Sequence, residues 1–167
     1  KRIRFWLRDD VVFHDGTPLN AEAVRYTYAR LLDPERAAPA VGNAGPMLGA
    51  EVVDEFVVDV VYDEPYAPAL LIMSYSYFGI ISPSAAEAMG DDFSHHPISA
   101  GPFMFKERVA GDRIVLERFD DYNWPPAFFE NQGPAYLETI TYQFIPDDAT
   151  QLLLLQTDGI DVASAPP

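Results

Sequence analysis

Two stretches of the sequence carry side chains that could do acid–base or nucleophilic chemistry. His14 is followed by Asp15, and a carboxylate of this kind can orient a histidine that acts as a general base. Ser82 is a serine that such a base could activate, so a hydrolase that uses His14 or Ser82 is one interpretation of the chain. Neighbouring side chains on extended backbone point to opposite faces, however, so the side chains of His14 and Asp15 would rarely meet.

The other histidines do not form a metal-binding pattern. His95 and His96 precede Pro97 in a polar loop, without a second group of ligands at the spacing of a metal site. The sequence also lacks cysteine, a G-x-S-x-G motif, an H-E-x-x-H motif and a Gly-rich phosphate loop. We therefore expect no catalytic residues, no metal and no cofactor, and we predict that the protein is not an enzyme.

The residues around the first histidine are typical of a structural corner. Asp15-Gly16 is a tight-turn pair, the Thr17-Pro18 step restricts the backbone to extended conformations, and Asn20 is a favoured helix N-cap. The pattern predicts a strand, a turn and then a helix that runs to about Leu32, where Pro34 stops it.

Hydrophobic periodicity predicts the remaining elements. Strands are predicted over Lys1–Phe13, in two pieces of Glu51–Tyr62, over "YFGIIS", in a hairpin that turns at Ala110–Asp112, over "LETITYQFI" and over Ile160–Ala163. Helices are predicted over Ala67–Met73, "PSAAEAMG" and Asp147–Thr157, and residues 36–50 are predicted to form a loop. Helices and strands are mixed without strict alternation, which predicts an α+β fold.

Composition restricts the partners of the chain. The formal net charge is −15, with only 11 lysines and arginines, so the surface repels phosphate backbones and we expect no nucleic-acid partner.

The 167 residues are 49% hydrophobic, enough for one ordinary core. The longest apolar runs are far shorter than the roughly 20 residues of a membrane span. A chain that opens inside a strand suggests a piece of a longer protein.

Four motifs connect the chain to a known family. "LRDDVVFHDGTPLNAEAV" resembles the signature of the family 5 extracellular solute-binding proteins, the peptide, oligopeptide and nickel receptors of ABC importers. "HPISAGPFMF", "LERFDDYNW" and "LETITYQFIPDDATQLLLLQTDGID" resemble three further family motifs, in the same order. The chain departs from the family pattern at Ser99–Pro102, where Gly-Thr-Gly-Pro is usual, and at Asp10, where glycine is common. These departures affect turn geometry and leave the resemblance intact.

The resemblance implies a fold, a function and a location. The parent fold would be the α/β two-lobed type II periplasmic binding protein, of which this chain is an α+β fragment. Residues 1–100 would form the extra subdomain of the first lobe, residues 101–167 would continue into its main part, and the second lobe would be absent. The protein would be extracytoplasmic, either periplasmic or lipid-anchored, and would deliver captured peptides to ABC permease membrane subunits. A receptor for a nickel chelate or an oligosaccharide is the alternative.

Two segments are candidates for contact with the solute. Tyr75, Tyr77 and Phe78 gather three aromatic rings before the "GIIS" segment, and a tyrosine supplies both apolar area and a hydrogen bond. Asn43 and Met47 lie in a second candidate loop. The alternative for both segments is that their side chains form core. Nickel-type receptors carry an arginine near the position of Gly79, so peptide binding is favoured over chelate binding.

Overall fold

The computed structural model of the chain describes residues 1–164 and contains both helices and strands. The strands are β1 (Arg2–Trp6), β2 (Met47–Asp54), β3 (Val57–Tyr62), β4 (Phe103–Val109), β5 (Arg113–Arg118) and β6 (Thr139–Gln143). The α-helices are α1 (Ala21–Leu32), α2 (Ala69–Met73), α3 (Pro83–Met89) and α4 (Asp148–Gln156). Short 3-10 helices cover Pro34–Arg36, Pro39–Asn43, Ser76–Phe78 and Gly90–Ser94. The predicted α+β class is confirmed.

The strands form two antiparallel sheets of three strands each. The first has the order β1-β3-β2 and the second the order β4-β5-β6. The main core lies between the first sheet and α1, because the two elements present apolar faces to each other with periods of two and 3.6 residues. The buried core side chains include Val58, Val60 and Tyr62 of β3 and Ala21, Val24 and Tyr28 of α1.

The predicted start and end of α1 are confirmed. Asn20 has extended backbone angles, and its side-chain oxygen accepts a hydrogen bond from the backbone N–H of Ala23 at 3.1 Å. This bond satisfies one of the N–H groups that have no partner within the helix. The helix ends at Leu32, and Pro34 opens the following 3-10 helix.

Removal of this cap should destabilise the chain. Asn20→Ala should lower the free energy of unfolding by about 1 kcal/mol, because the Ala23 N–H loses its acceptor. Urea unfolding followed by circular dichroism measures the change. Asn43→Ala is a matched control, because Asn43 is exposed and its side chain makes no hydrogen bond within residues 1–164. An equal loss in the two variants would contradict the capping role.

The predicted hairpin is confirmed as the pair β4 and β5. Gly111 has a φ of +73°, which a residue without a Cβ adopts at little cost, and the N–H of Asp112 donates to the Val109 carbonyl at 3.0 Å. The pairing shifts register between Phe105 and Glu107, which marks a β-bulge. The predicted strand in "LETITYQFI" is β6, which pairs with β5.

Four predicted elements differ from the structure. The first strand ends at Trp6, well short of Phe13, because the following backbone bonds across the corner instead of along a sheet. Residues 36–50 contain two 3-10 segments and the start of β2. The "YFGIIS" segment is not a strand, since the Ile81 N–H donates to the side chain of Thr27. Residues 160–163 do not pair either, and the preceding Gly159 N–H closes α4 on the Leu154 carbonyl.

Within residues 1–164, none of the helices has the length and apolar character that crossing a membrane requires.

Candidate functional site

The carboxylate of Asp15 connects the corner to the start of α3. It accepts hydrogen bonds from the backbone N–H of Thr17 at 3.0 Å, from the Thr17 hydroxyl at 2.6 Å and from the Ser82 hydroxyl at 2.5 Å. Burial acts to raise the pKa of Asp15, but the bonds from Ser82 and Thr17 outweigh it and hold this pKa below its usual value. The carboxylate therefore acts as a fixed acceptor that joins two segments.

The hydroxyl of Ser82 is a helix cap. Ser82 is fully buried, and its oxygen accepts from the backbone N–H of Ala85 at 3.2 Å while its proton goes to Asp15. A carboxylate at this position stabilises the hydroxyl as a donor within the fold, and the geometry leaves no room for a substrate at the serine oxygen. Ser82 is thus the N-cap of α3.

His14 belongs to a different network from Ser82. Its Nε2 donates to the Gly101 carbonyl at 2.9 Å, and its ring packs edge-to-face with that of Phe119, with 5.1 Å between the ring centres. Its Nδ1 is buried and has no partner in the described part of the chain. Burial lowers the pKa of His14 more than the Gly101 carbonyl and the charge of Asp15 raise it, so the ring is neutral at pH 7. A histidine in this position packs the corner, and the hydrolase alternative is not favoured.

The other two histidines contact different partners. His95 Nδ1 lies 3.0 Å from the guanidinium of Arg108, and His96 Nδ1 lies 3.4 Å from the carboxylate of Asp92. Across residues 1–164, no three His, Cys, Asp or Glu side chains lie close enough together to hold a metal ion.

The structure separates the five predicted contact residues into two groups. Phe78, which is 2% exposed, and Met47 are buried in the main core, where the Phe78 ring meets the edge of Tyr28. Tyr75, Tyr77 and Asn43 lie at the surface, and the rings of the two tyrosines lie 5.7 Å apart. The core alternative therefore describes the packing of Phe78 and Met47. A ligand-binding role for the three surface residues stays a prediction.

One of these surface residues lines a cleft. The cleft has a volume of about 560 Å³, within the usual range for small-molecule sites, and lies between the last turns of α1, the Pro34–Arg36 turn and the segments around residues 79 and 91. Its lining residues include Tyr77, Gly79 and four charged residues, which are Arg30, Glu35, Arg36 and Asp91. We call this site the Tyr77 cleft.

Contacts beneath the Tyr77 cleft hold its walls together. The buried Thr27 hydroxyl donates to the Ala23 carbonyl at 2.8 Å and accepts from the Ile81 N–H at 3.2 Å, which fixes the segment after Gly79 against α1. From the same helix the guanidinium of Arg30 lies over the buried ring of Phe93, 5.7 Å from its centre. The walls are therefore positioned by the fold before any solute arrives.

A second cleft has charged groups that are already paired. It lies between α1 and β2 and has a volume of about 400 Å³. Its Arg25 pairs with Glu22 on the same helix, and its Glu51 pairs with Arg2 at 2.9 Å. Charges that are already neutralised by neighbours attract a solute weakly. In the Tyr77 cleft, Arg36 pairs with Asp33 at 3.5 Å, but Arg30, Glu35 and Asp91 form no ion pair within residues 1–164, so this cleft is the better candidate.

The sequence pattern singled out Tyr77 as a candidate contact residue and did not single out the charged residues that line the same cleft. Arg30 and Thr27 lie three residues apart on α1, beside the apolar stripe that the periodicity identified. This spacing places them on one face, but it does not show that the segments around residues 79 and 91 pack against that face. The convergence of segments far apart in sequence is a property of the tertiary fold.

The chain belongs to the family of bacterial extracellular solute-binding proteins, family 5, whose middle-region model matches residues 1–167. Glutathione-binding protein GsiB of Salmonella typhi is 29% identical over 151 residues, which are 90% of this chain and 28% of GsiB. The GsiB of Escherichia coli O157:H7 is 28% identical over the same share of each chain. The chain thus spans less than a third of the length of these relatives.

Solved structures of binding proteins have the same fold. The periplasmic binding protein AgaA from A. tumefaciens R10, in complex with agropinic acid, superimposes with a TM-score of 0.83 and is 26% identical. The match covers 96% of this chain and 31% of AgaA. DppA from Helicobacter pylori, in complex with the peptide STSA, has a TM-score of 0.80 over 95% of this chain and 34% of DppA, at 24% identity. The likeness to DppA shows the fold alone.

Proposed function

We propose that the chain is part of the substrate-binding subunit of an ABC importer, which captures small peptides outside the membrane. The observation that carries this proposal is the lining of the Tyr77 cleft, which combines an aromatic ring with side chains of both charges. A peptide presents a carboxylate, an ammonium group and apolar side chains, so a cleft with arginines, acids and a tyrosine complements all three.

The lining of the Tyr77 cleft favours a peptide over a metal chelate as the solute. Gly79 lines the Tyr77 cleft without a side chain, so this position supplies no charged group for a chelate. The name of GsiB, a glutathione-binding protein, and the agropinic acid held by AgaA also favour an organic solute that carries carboxylates. Binding to such a site breaks no covalent bond, so a receptor of this kind needs no nucleophile.

The assignment to an importer implies three further proposals, on the location of the protein, its partners and its domain organisation. The protein is extracytoplasmic, where a receptor meets its solute, and its partners are the membrane subunits of an ABC permease. Residues 1–100 form the extra subdomain of the first lobe and residues 101–167 continue into its main part. The second lobe of a two-lobed receptor is supplied by residues outside this chain.

A binding experiment tests the cargo and the place of the site together. A longer polypeptide that contains these 167 residues is titrated with a library of di- to pentapeptides by calorimetry. We expect binding, and we expect Tyr77→Ala to weaken it about 10-fold, because the ring supplies apolar contact area. Tyr136→Ala is the matched control, since Tyr136 is 84% exposed and lies outside the cleft.

The possible results separate the two parts of the proposal. Absence of binding by every peptide would show that peptides are not the cargo. Binding that is equally strong in the parent protein and in Tyr77→Ala would show that the Tyr77 cleft is not the site.

A further inference from the structure

Arg30 differs from every other arginine in residues 1–164 because it has no hydrogen-bond or ion-pair partner there. The chain has 26 acidic residues and 11 basic ones, so acidic partners are abundant. Seven arginines pair with carboxylates, and Arg108 bonds to His95. The seven are Arg2, Arg4, Arg8, Arg25, Arg36, Arg113 and Arg118. Because acidic partners are abundant, the position of Arg30 is determined by contacts other than an ion pair.

The position of Arg30 is defined by an aromatic ring. Its guanidinium lies 5.7 Å from the centre of the Phe93 ring. Phe93 is itself buried and packs in a small cluster with Ala85 and Ala86, so the ring is fixed. Stacking on an aromatic face restricts the rotamers of an arginine and leaves the N–H groups at the edge of its plane free.

Arg30 is also one of the residues that line a cleft. Arg30 is half-buried and lines the Tyr77 cleft, together with Glu35 and Asp91. Neither of these acids forms an ion pair with Arg30. A planar guanidinium matches a carboxylate with two parallel hydrogen bonds, and partial burial strengthens such a bond relative to water.

We propose that Arg30 binds the carboxylate of the solute captured in the Tyr77 cleft and selects solutes that carry this group. The inference rests on the proposed function of the cleft. Within it, Phe93 is a positioning residue that holds the guanidinium in place. A solute with the same shape but a neutral terminus would leave Arg30 partly buried and unpaired.

The test compares two forms of one tripeptide. Ala-Ala-Phe and its C-terminal amide are titrated into the longer polypeptide that contains this chain, and the two Kd values are compared for each variant. We expect the parent protein to bind the free acid about 10-fold or more tightly than the amide. Arg30→Gln should reduce the ratio to about one, and Arg30→Lys should leave an intermediate ratio because lysine keeps the charge without the planar geometry.

Arg108→Gln is the matched control. It makes the same change at an arginine of β4 that has no carboxylate partner and lies outside the cleft, so its ratio should equal that of the parent protein. Circular dichroism establishes whether each variant is folded. If Arg30→Gln is not folded, the acid-to-amide ratio of Kd values in Arg30→Lys decides the question. Equal Kd values for acid and amide in the parent, or a full preference in the folded Arg30 variant, would overturn the inference while peptide binding stands. Absence of binding by both forms and by the whole peptide library would overturn the proposed function and the inference together.

Discussion

Asp59→Asn should cause the largest loss of stability of any single charge change in the chain. Asp59 lies in the middle of β3 and is fully buried, although it carries a charge. Its two oxygens accept from Arg4 at 2.7 and 2.9 Å and from Arg2 at 2.9 Å. Removal of the anion leaves the two guanidinium groups of β1 side by side without the charge that they share, and the amide that replaces it adds a further donor. Thermal unfolding measures the loss.

The same residue should make stability depend on acid. The hydrogen bonds from Arg4 lower the pKa of Asp59 most, and those from Arg2 add to this effect against the opposing effect of burial. The pKa is therefore lower in the folded chain than the value of about 3.9 in the unfolded chain. Above that value the full stabilisation is present, and it is lost progressively as the pH falls toward the folded pKa. Asp59→Asn should remove this component of the acid sensitivity.

Asp10→Asn provides a matched control for both measurements. Asp10 also accepts two hydrogen bonds from one arginine, Arg8, at 2.8 and 2.6 Å, but this pair is exposed. Exposed ion pairs contribute little because water solvates both partners and salt screens them. We expect a loss several times larger for Asp59→Asn than for Asp10→Asn. Similar losses, or an unchanged acid profile in Asp59→Asn, would show that the buried network does not stabilise the sheet.

Local signals predicted the parts of the fold that local chemistry determines. Asn20 caps α1 because its side chain reaches a backbone N–H three residues away, and Gly111 turns the hairpin because its own φ is positive. The corner at Asp15-Gly16 was predicted in the same way, and its turn bond to Thr17 is present. Each of these features depends on fewer than five neighbouring residues, so the sequence shows it directly.

Features that depend on distant segments were not visible in the sequence. Asp59 alternates with valines and would be expected to face water, yet its burial follows from the register that places it opposite Arg4, 55 residues away. The Tyr77 cleft is similar, since the bond from the Ile81 N–H to Thr27 joins the segment that follows Tyr77 to the helix that carries Arg30. The "YFGIIS" segment has the composition of a strand, but its backbone N–H groups donate to a side chain of α1 and to the carbonyl of a loop residue. Tertiary contacts therefore override its local preference.

The 167-residue chain by itself should bind peptides at least about 100-fold more weakly than a longer polypeptide that contains it. Tyr77 is 51% exposed in the chain, so a solute in the Tyr77 cleft has one face against protein and the other against water. High-affinity sites bury about 70–90% of the solute surface, and a two-lobed receptor reaches this value by closing a second wall on the first. The relatives are more than three times as long as the part matched here, which leaves ample chain for that wall.

Calorimetry with the same peptide library, on both proteins under one condition, measures the difference. The exposed aromatic residues of the second half of the chain, among them Phe128 and Tyr142, require that the short chain be shown monomeric by sedimentation before titration. The Arg30→Gln variant of each protein adds a second comparison. If the first wall binds the carboxylate and the second wall excludes water, the substitution should weaken the longer polypeptide more, because a charge-assisted hydrogen bond is stronger where water is absent. Equal affinities of the two proteins would mean that the site lies wholly within these residues and that no second wall takes part.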